Sequence, residues 1–139
     1  GGALPLVYAD SEKLSVVLNN LLDNAVKYTA SGGQVDVKLE KKGNYALVSI
    51  ADTGVGIPDS EQARVFSKFF RASNVMRMET EGTGLGLFIV HNIIKRHGGD
   101  IHFTSHENQG ATFAFTLPLK KELVPKEESA PLEEFLENV

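Results

Sequence analysis

Hydrophobic residues recur at three- and four-residue intervals in the segment that follows Asp10, which predicts a helix with one apolar face, and a later, strongly apolar segment predicts a second helix. Asp10 is the predicted N-cap of the first helix. Its apolar stripe consists of Leu14, Val17, Leu18, Leu21, Leu22 and Ala25. The second helix is the apolar segment "GLGLFIVHNIIKRHGG", which ends at the glycine pair Gly98 and Gly99. A shorter helical piece is predicted between them, around Ser60 to Phe69.

Alternating hydrophobic and polar residues predict strands that form two hairpins. The first is "QVDVKLEKKGNYALVSIAD", in which Gly43 and Asn44 supply the turn. The second joins "DIHFTS" to "ATFAFTL" through the turn "HENQG", and "LPLVYA" near the start is a further predicted strand. The sequence therefore predicts an α+β fold. We expect a two-layer α/β sandwich whose mixed, mostly antiparallel sheet is covered on one face by about three helices.

The composition indicates one globular domain followed by a tail. The 139 residues are 42% hydrophobic and 23% charged, which is typical of globular proteins. Residues 1–119 form the predicted domain. From Lys120 the composition changes to lysine, glutamate and proline, so residues 120–139 are predicted to be a charged tail or linker.

Charge and cysteine content narrow the class of function. The net charge is −4 and no dense run of lysine or arginine occurs, which argues against nucleic acid or a membrane surface as a partner. The absence of cysteine excludes a disulfide framework and fits a cytoplasmic location. No apolar segment approaches the roughly 20 residues of a membrane span, and we expect no signal peptide. Because the chain does not begin with Met, we expect it to be part of a longer protein.

The first predicted helix carries two asparagines four residues apart, although asparagine is a mediocre helix former. Asn20, Asn24 and Lys27 fall on one stripe, away from the apolar face. An amide oxygen is a suitable Mg²⁺ ligand that adds no negative charge beside a polyphosphate, and Lys27 is placed to meet such a group. The alternative is that both asparagines are solvated or cap a neighbouring loop.

Two glycine motifs complete the candidate chemistry. In "DTGVG", Gly54 and Gly56 follow Asp52, whose carboxylate could accept a hydrogen bond from an exocyclic amine such as that of adenine. A plain turn capped by Asp52 is the alternative. In "GTGLGL", residues 82–87 open the second helix, where unpaired N–H groups favour an anion. This motif has neither the spacing of a dinucleotide-binding fold nor the Lys-Ser/Thr of a P-loop.

Together, "LNNLLDNAVKYT", "DTGVGIP", "FSKFFRA" and "GTGLGLFIVHNIIKRHGG" resemble the N, G1, F and G2 boxes of the ATP-binding catalytic domain of sensor histidine kinases. The resemblance runs from about Leu6 to Leu119. It implies the Bergerat-type ATP-binding fold, shared with gyrase, mismatch-repair ATPases and the heat-shock chaperone ATPase. The F box departs from the usual "FEPFYR", since Ser67 and Lys68 replace Glu-Pro and Phe70 replaces Tyr.

The resemblance implies ATP and Mg²⁺ as ligands. At the base, Asp52 would accept a hydrogen bond from the adenine amino group, and Gly54 and Gly56 would shape the pocket. Tyr28 would lie along the base or ribose. Thr112 matches a threonine near the adenine end.

At the phosphates, the resemblance makes Asn24 the Mg²⁺ ligand, with Asn20 supporting the site. Lys27 would contact phosphate, and Arg71 would reach toward the terminal phosphates. Residues of the second glycine motif would cradle phosphate and hinge an ATP lid that spans about Pro58 to Thr83; they are Gly82, Thr83, Gly84, Leu85 and Gly86.

The resemblance also implies transfer of the γ-phosphoryl group rather than hydrolysis. The ATPase members carry a water-activating glutamate four residues before the metal asparagine, and Asn20 stands at that position here. An amide cannot take a proton at neutral pH, so water activation lacks its base. The implied acceptor is a histidine, because the family acts in two-component signal transduction.

The expected partners follow from this role. The acceptor histidine would belong to a helical dimerisation and phosphoacceptor domain that precedes Gly1 in the parent chain, and a response regulator would act downstream. None of the four histidines of this chain resembles an acceptor. We expect no nucleic acid partner and no direct membrane contact from this segment, while membrane anchoring of the parent stays open. The alternatives are a serine-directed kinase of the anti-sigma type and a nucleotide-binding interaction module without transfer.

Overall fold

The computed structural model describes residues 9–29, 32–68, 70 and 86–125. Two α-helices, four strands and two short 3₁₀ helices occur in these ranges. In chain order they are α1 (Ser11–Lys27), β1 (Val35–Lys42), β2 (Tyr45–Asp52), the first 3₁₀ helix (Asp59–Arg64), α2 (Gly86–Arg96), β3 (Ile101–Ser105), β4 (Ala111–Pro118) and the second 3₁₀ helix (Lys121–Leu123). The predicted strand "LPLVYA" lies outside the described residues apart from Ala9.

The four described strands form one sheet in the order β1-β2-β4-β3, and every neighbouring pair is antiparallel. Both predicted hairpins are therefore confirmed. Gly43, in the turn between β1 and β2, has a φ of +59°, a conformation that glycine adopts without strain. The central pair β2–β4 brings Asp52, the last residue of β2, opposite Ala111, the first residue of β4.

Both α-helices cover one face of this sheet, as the two-layer prediction requires. Helix α1 packs against α2 and β2, and α2 also reaches β3 and β4. The core between the layers has almost no solvent exposure at its centre, where Val17 of α1, Val90 of α2 and Phe115 of β4 are all 0% exposed. The alternation on the edge strand β1 is also as predicted, but Val37 remains 57% exposed on the helix side of the sheet.

Helix α1 is fixed at its start by a capping interaction and by a histidine from α2. The backbone N–H groups of Lys13 and Glu12 donate to the Asp10 carboxylate and lower its pKa below the usual value of 3.8. The backbone N–H of Asp10 donates to Nε2 of His97 at 3.1 Å, while Nδ1 of His97 contacts the Ile93 carbonyl at 2.8 Å. The His97 ring thus joins the end of α2 to the start of α1.

The predicted helical piece around Ser60 to Phe69 is shorter than expected, since the structure contains a 3₁₀ helix over Asp59–Arg64 only. Val65 follows at once and is 1% exposed, and Phe66 packs edge-to-face against Phe103 and Phe113 of the sheet. The helical segment therefore ends at Arg64, because the backbone that follows places the side chains of Val65 and Phe66 against the sheet.

Replacing Val17 by Ala should lower the free energy of unfolding by about 2 kcal/mol, because two buried carbon atoms are lost and a cavity remains. The same change at Val26, which lies on the same helix and is 64% exposed, should have almost no effect. Chemical denaturation of both variants measures the difference. Equal losses would contradict the packing of α1 described here.

Candidate functional site

The polar stripe of α1 presents two asparagine side chains that are only half-buried. Nδ2 of Asn20 donates to the Val16 carbonyl one turn earlier, at 2.8 Å. No described residue donates to Oδ1 of Asn20, and the side chain of Asn24 makes no hydrogen bond within the described ranges. Both residues therefore keep an amide oxygen that a ligand or cation can use.

The start of α2 lies directly beside this stripe. A Cβ atom built on Gly86 would stand 2.7 Å from Oδ1 of Asn20, so only a residue without a side chain fits without displacing the amide. Gly86 is the first described residue of α2, and the first turn of a helix has backbone N–H groups without helical partners. The structure thus brings the N-terminal end of α2 to the asparagines of α1.

Lys27 and Tyr28 close the C-terminal end of α1. Nζ of Lys27 lies 3.3 Å from Oδ2 of Asp23, in a pair whose side chains are 43% and 65% exposed. Exposed pairs at this spacing contribute only about 0.3–0.5 kcal/mol, so Lys27 can exchange Asp23 for a stronger anion at small cost. The Tyr28 carbonyl accepts the N–H of Val55 at 3.2 Å, which joins the helix to the glycine loop.

Only one oxygen of the Asp52 carboxylate accepts hydrogen bonds from described residues. Oδ1 accepts the backbone N–H of Gly54 at 2.8 Å and that of Ala111 at 3.3 Å. Oδ2 has no partner among the described residues. Burial raises the pKa of Asp52 above its usual value of 3.8, and the two hydrogen bonds oppose that shift. Asp52 therefore offers one oriented oxygen, Oδ2, to a hydrogen-bond donor.

The glycine loop that follows Asp52 lies between α1 and the β3–β4 turn. A Cβ on Gly54 would approach the Tyr28 carbonyl oxygen to 2.3 Å, and one on Gly56 would approach the His106 carbonyl oxygen to 2.1 Å. Gly56 also has a φ of +67°. The predicted importance of both glycines thus has a steric basis, since a side chain at either position would displace backbone.

The strand register gives the sheet face on which Thr112 lies. In the strand register it is paired with Ala51 and Thr104, on the sheet face that points away from the helices. The carboxylate of Asp52 lies on the helix side, where the backbone N–H of Ala111 reaches it. The Thr112 side chain therefore lies on the sheet face opposite to the Asp52 carboxylate, and its contact with the adenine end stays a prediction.

Several other predicted site residues lie outside the described ranges. They are Arg71, Gly82, Thr83, Gly84 and Leu85. Most of the predicted lid, about Pro58 to Thr83, also lies outside the described ranges, but its first part is described. There Phe66 stacks on His91 with 5.0 Å between ring centroids, and burial lowers the pKa of His91, which favours the neutral ring.

The donor set fits Mg²⁺ held jointly with phosphate rather than in a cage of protein ligands. No group of three or more His, Cys, Asp or Glu side chains within the described ranges could hold a metal ion. Magnesium commonly takes one or two oxygens from the protein and the rest from phosphates and water. The half-buried Asn24 amide meets that requirement.

Comparison with known proteins identifies the family of this chain. The family described as "Histidine kinase-, DNA gyrase B-, and HSP90-like ATPase" matches residues 9–121. The chain belongs to this family. Adaptive-response sensory kinase SasA of Rippkaea orientalis is 48% identical over 117 residues, which cover 84% of this chain and 29% of that protein. The resemblance to the ATP-binding catalytic domain of sensor histidine kinases is thereby confirmed.

Solved structures of the family share the fold. The mycobacterial sensor histidine kinase MprB has a TM-score of 0.72 and 34% identity, covering 81% of this chain and 76% of that chain. Full-length ShkA in complex with AMPPNP has a TM-score of 0.69 and 34% identity, covering 83% of this chain and 23% of that chain. These neighbours confirm the predicted α+β sandwich.

This domain spans less than a third of the curated relatives with which it was compared, between 16% and 32% of their length. Within its described residues, no helix has the length and apolar character needed to cross a bilayer.

Asp52→Asn should raise the melting temperature at pH 7. The pKa of Asp52 is raised in the folded state, so ionising Asp52 lowers the free energy of unfolding as the pH rises through that pKa. Below the usual pKa of 3.8 the side chain is neutral in both states, and this loss of stability disappears. The gain should therefore shrink as the pH falls toward 4. Thermal unfolding at several pH values measures it, with Asp36→Asn on the exposed strand β1 as a charge-matched control. A loss of stability that is equal at all pH values would contradict this account.

Proposed function

We propose that this domain binds Mg²⁺-ATP and supplies its γ-phosphoryl group to a histidine on a separate helical domain, in two-component signal transduction. The observation that carries the proposal is the single free oxygen of Asp52, held between the glycine loop and the first residue of β4. The proposal that the ligand is ATP rests on the contact between Asp52 and adenine, because the other parts of the site would favour any polyphosphate.

At the base, Oδ2 of Asp52 accepts one hydrogen from the exocyclic amine of adenine. Guanine has a carbonyl oxygen at the corresponding position, which would face the carboxylate as a second acceptor and is disfavoured. Tyr28 lies beside the glycine loop through the backbone hydrogen bond from Val55, and its side chain packs against the cluster of Ile57 and Val65, which supports a contact with base or ribose. The relative ShkA has been solved with AMPPNP, an ATP analogue, which supports an adenine nucleotide as the ligand.

At the phosphates, Asn24 would hold Mg²⁺ through its amide oxygen, with Asn20 beside it. Bound Mg²⁺ would neutralise charge on the phosphate oxygens. Lys27 would leave Asp23 and contact phosphate, and the N-terminal end of α2 at Gly86 would face the same charge. Arg71 and the glycines at 82 and 84 would add to this side of the site.

Transfer rather than hydrolysis follows from the residue at position 20. Its Nδ2 is tied to the Val16 carbonyl, so Oδ1 remains as its polar group toward the site, and an amide oxygen is not a general base. Positioning and charge neutralisation are most of what phosphoryl transfer requires of a protein. A bound nucleotide would therefore keep its γ-phosphoryl group until an acceptor histidine reaches it.

The acceptor would come from elsewhere in the parent protein. His97 is used structurally between α2 and α1, and His91 stacks on Phe66. Because this domain covers less than a third of the length of the curated relatives, a helical phosphoacceptor domain and a response regulator are the proposed partners.

Asp52→Asn should weaken ATP binding about 10- to 100-fold, because the new amide group presents a donor where adenine also presents a donor. Binding of GTP should weaken far less, so the ATP-to-GTP affinity ratio should fall by at least about tenfold. Calorimetric titration of the chain with each nucleotide measures the ratio. An unchanged ratio in a folded variant would remove Asp52 from the base site.

Asn24→Ala should abolish the effect of Mg²⁺ on ATP affinity and lower phosphoryl transfer at least about tenfold, since the proposed protein ligand to the metal is gone. The matched control is Asn19→Ala, an exposed asparagine on the same helix. Titrations with and without Mg²⁺ report the first effect, and label transfer from γ-labelled ATP to the helical acceptor domain reports the second. Full activity of Asn24→Ala would contradict the metal assignment.

A further inference from the structure

Ser105, the last residue of β3, is the buried polar side chain of the described ranges, with 6% exposure. None of the roles assigned above involves it. Buried hydroxyl groups are normally hydrogen-bonded, so the partners of Ser105 show what it holds.

The Ser105 hydroxyl joins the glycine loop to the β3–β4 turn. Its Oγ accepts the backbone N–H of Ile57 at 2.8 Å and donates to the Gly110 carbonyl oxygen at 3.0 Å. Ile57 lies three residues after Gly54 in the loop. One hydroxyl thus uses both its donor and an acceptor site to connect two backbone segments.

The Gly110 carbonyl belongs to the peptide group that holds Asp52. The N–H of that same peptide, on Ala111, donates to Oδ1 of Asp52 at 3.3 Å. Because a peptide group is planar, fixing its carbonyl also fixes the direction of its N–H. Ser105 therefore orients a donor to the carboxylate without touching it.

The hydrogen bonds form a closed path through the loop. From Ile57 the path runs through the Ser105 hydroxyl and the Gly110–Ala111 peptide to Oδ1 of Asp52, and Oδ1 also accepts the N–H of Gly54. The chain from Gly54 to Ile57 completes the circle. The loop cannot shift relative to Asp52 without breaking a member of this path.

A second link reinforces one side of the path. Nε2 of Gln62 donates to the Ser105 carbonyl at 2.9 Å and to the Ile57 carbonyl at 3.1 Å. Gln62 thus holds β3 to the glycine loop, but it does not reach Gly110 or Asp52. The Gly110 carbonyl accepts the Ser105 hydroxyl and also the backbone N–H of His106 at 3.3 Å, so Ser105 is one of two described donors that fix the peptide facing the carboxylate.

We propose that Ser105 is a positioning residue for nucleotide selectivity, which holds the Gly110–Ala111 peptide and the glycine loop so that Oδ2 of Asp52 faces the base. This inference rests on the proposed function, since it assumes that Asp52 reads adenine. Ser105 acts through the backbone and touches no ligand.

Ser105→Ala tests the proposal in the 139-residue chain. It removes both hydrogen bonds of the hydroxyl, so ATP affinity should fall about five- to tenfold and the ATP-to-GTP ratio should fall by a similar factor. Ser105→Thr, which keeps the hydroxyl, should restore most of the ratio. Thr104→Ala, at the exposed neighbouring position of β3, should leave the ratio unchanged. Calorimetry well below the melting temperature of each variant gives the values.

A purely structural role would lower the melting temperature of Ser105→Ala but leave the ATP-to-GTP ratio as in the wild type, and that result would overturn the proposal. Failure of the wild-type chain to bind ATP would instead overturn the proposed function. Hydrogen exchange of the Gly54 and Ile57 amides then decides the positioning role, because it needs no nucleotide. Exchange at least about tenfold faster in Ser105→Ala supports it, and unchanged exchange contradicts it.

Discussion

The antiparallel register between β2 and β4 is the constraint on which the site depends. It places Asp52 opposite Ala111, so that a backbone N–H from β4 reaches the carboxylate at the end of β2. A slip of one residue would turn the Asp52 side chain to the other face of the sheet and away from α1. The buried faces of both strands, with Ile50 on β2 and Phe115 on β4, make such a slip costly, because it would expose the core. Core packing thus sets the geometry of a polar site.

The sequence predicts the elements well where one periodicity dominates. The apolar stripe of α1 and the alternation in β2, β3 and β4 correspond to real burial, whereas Val37 and Leu39 of the edge strand β1 stay exposed, and the asparagine stripe lies away from the core as expected. Thr112 was chosen by motif, and its role stays a prediction. The alternation of β4 gives its sheet face, since Phe113 and Phe115 face the helices and Thr112 then points to the other side.

Other features could not be predicted because they belong to the backbone or to contacts distant in sequence. The hydrogen bond from the Ala111 N–H is made by the backbone, so the residue type at this position does not predict it. The role of Ser105 depends on its partners Ile57 and Gly110, which lie 48 positions earlier and 5 positions later in the chain. The helical piece after Pro58 was predicted too long for a related reason. Local composition favours helix there, but the packing of Val65 and Phe66 against the sheet ends it. Tertiary burial overrides a weak local preference.

The two sides of the site differ in how firmly they are held, and this difference fits a transferase. The base side is built from backbone hydrogen bonds, two glycines in close contact and a buried serine, so the loop after Asp52 is preorganised and loses little entropy on binding. The phosphate side, in contrast, presents an asparagine without a described partner and a lysine in an exposed ion pair. Such side chains can rearrange as a phosphoryl group departs, while the base remains fixed. In the proposed complex, a rigid base pocket beside adaptable phosphate contacts would allow one nucleotide to be held while its terminal group is presented to another domain.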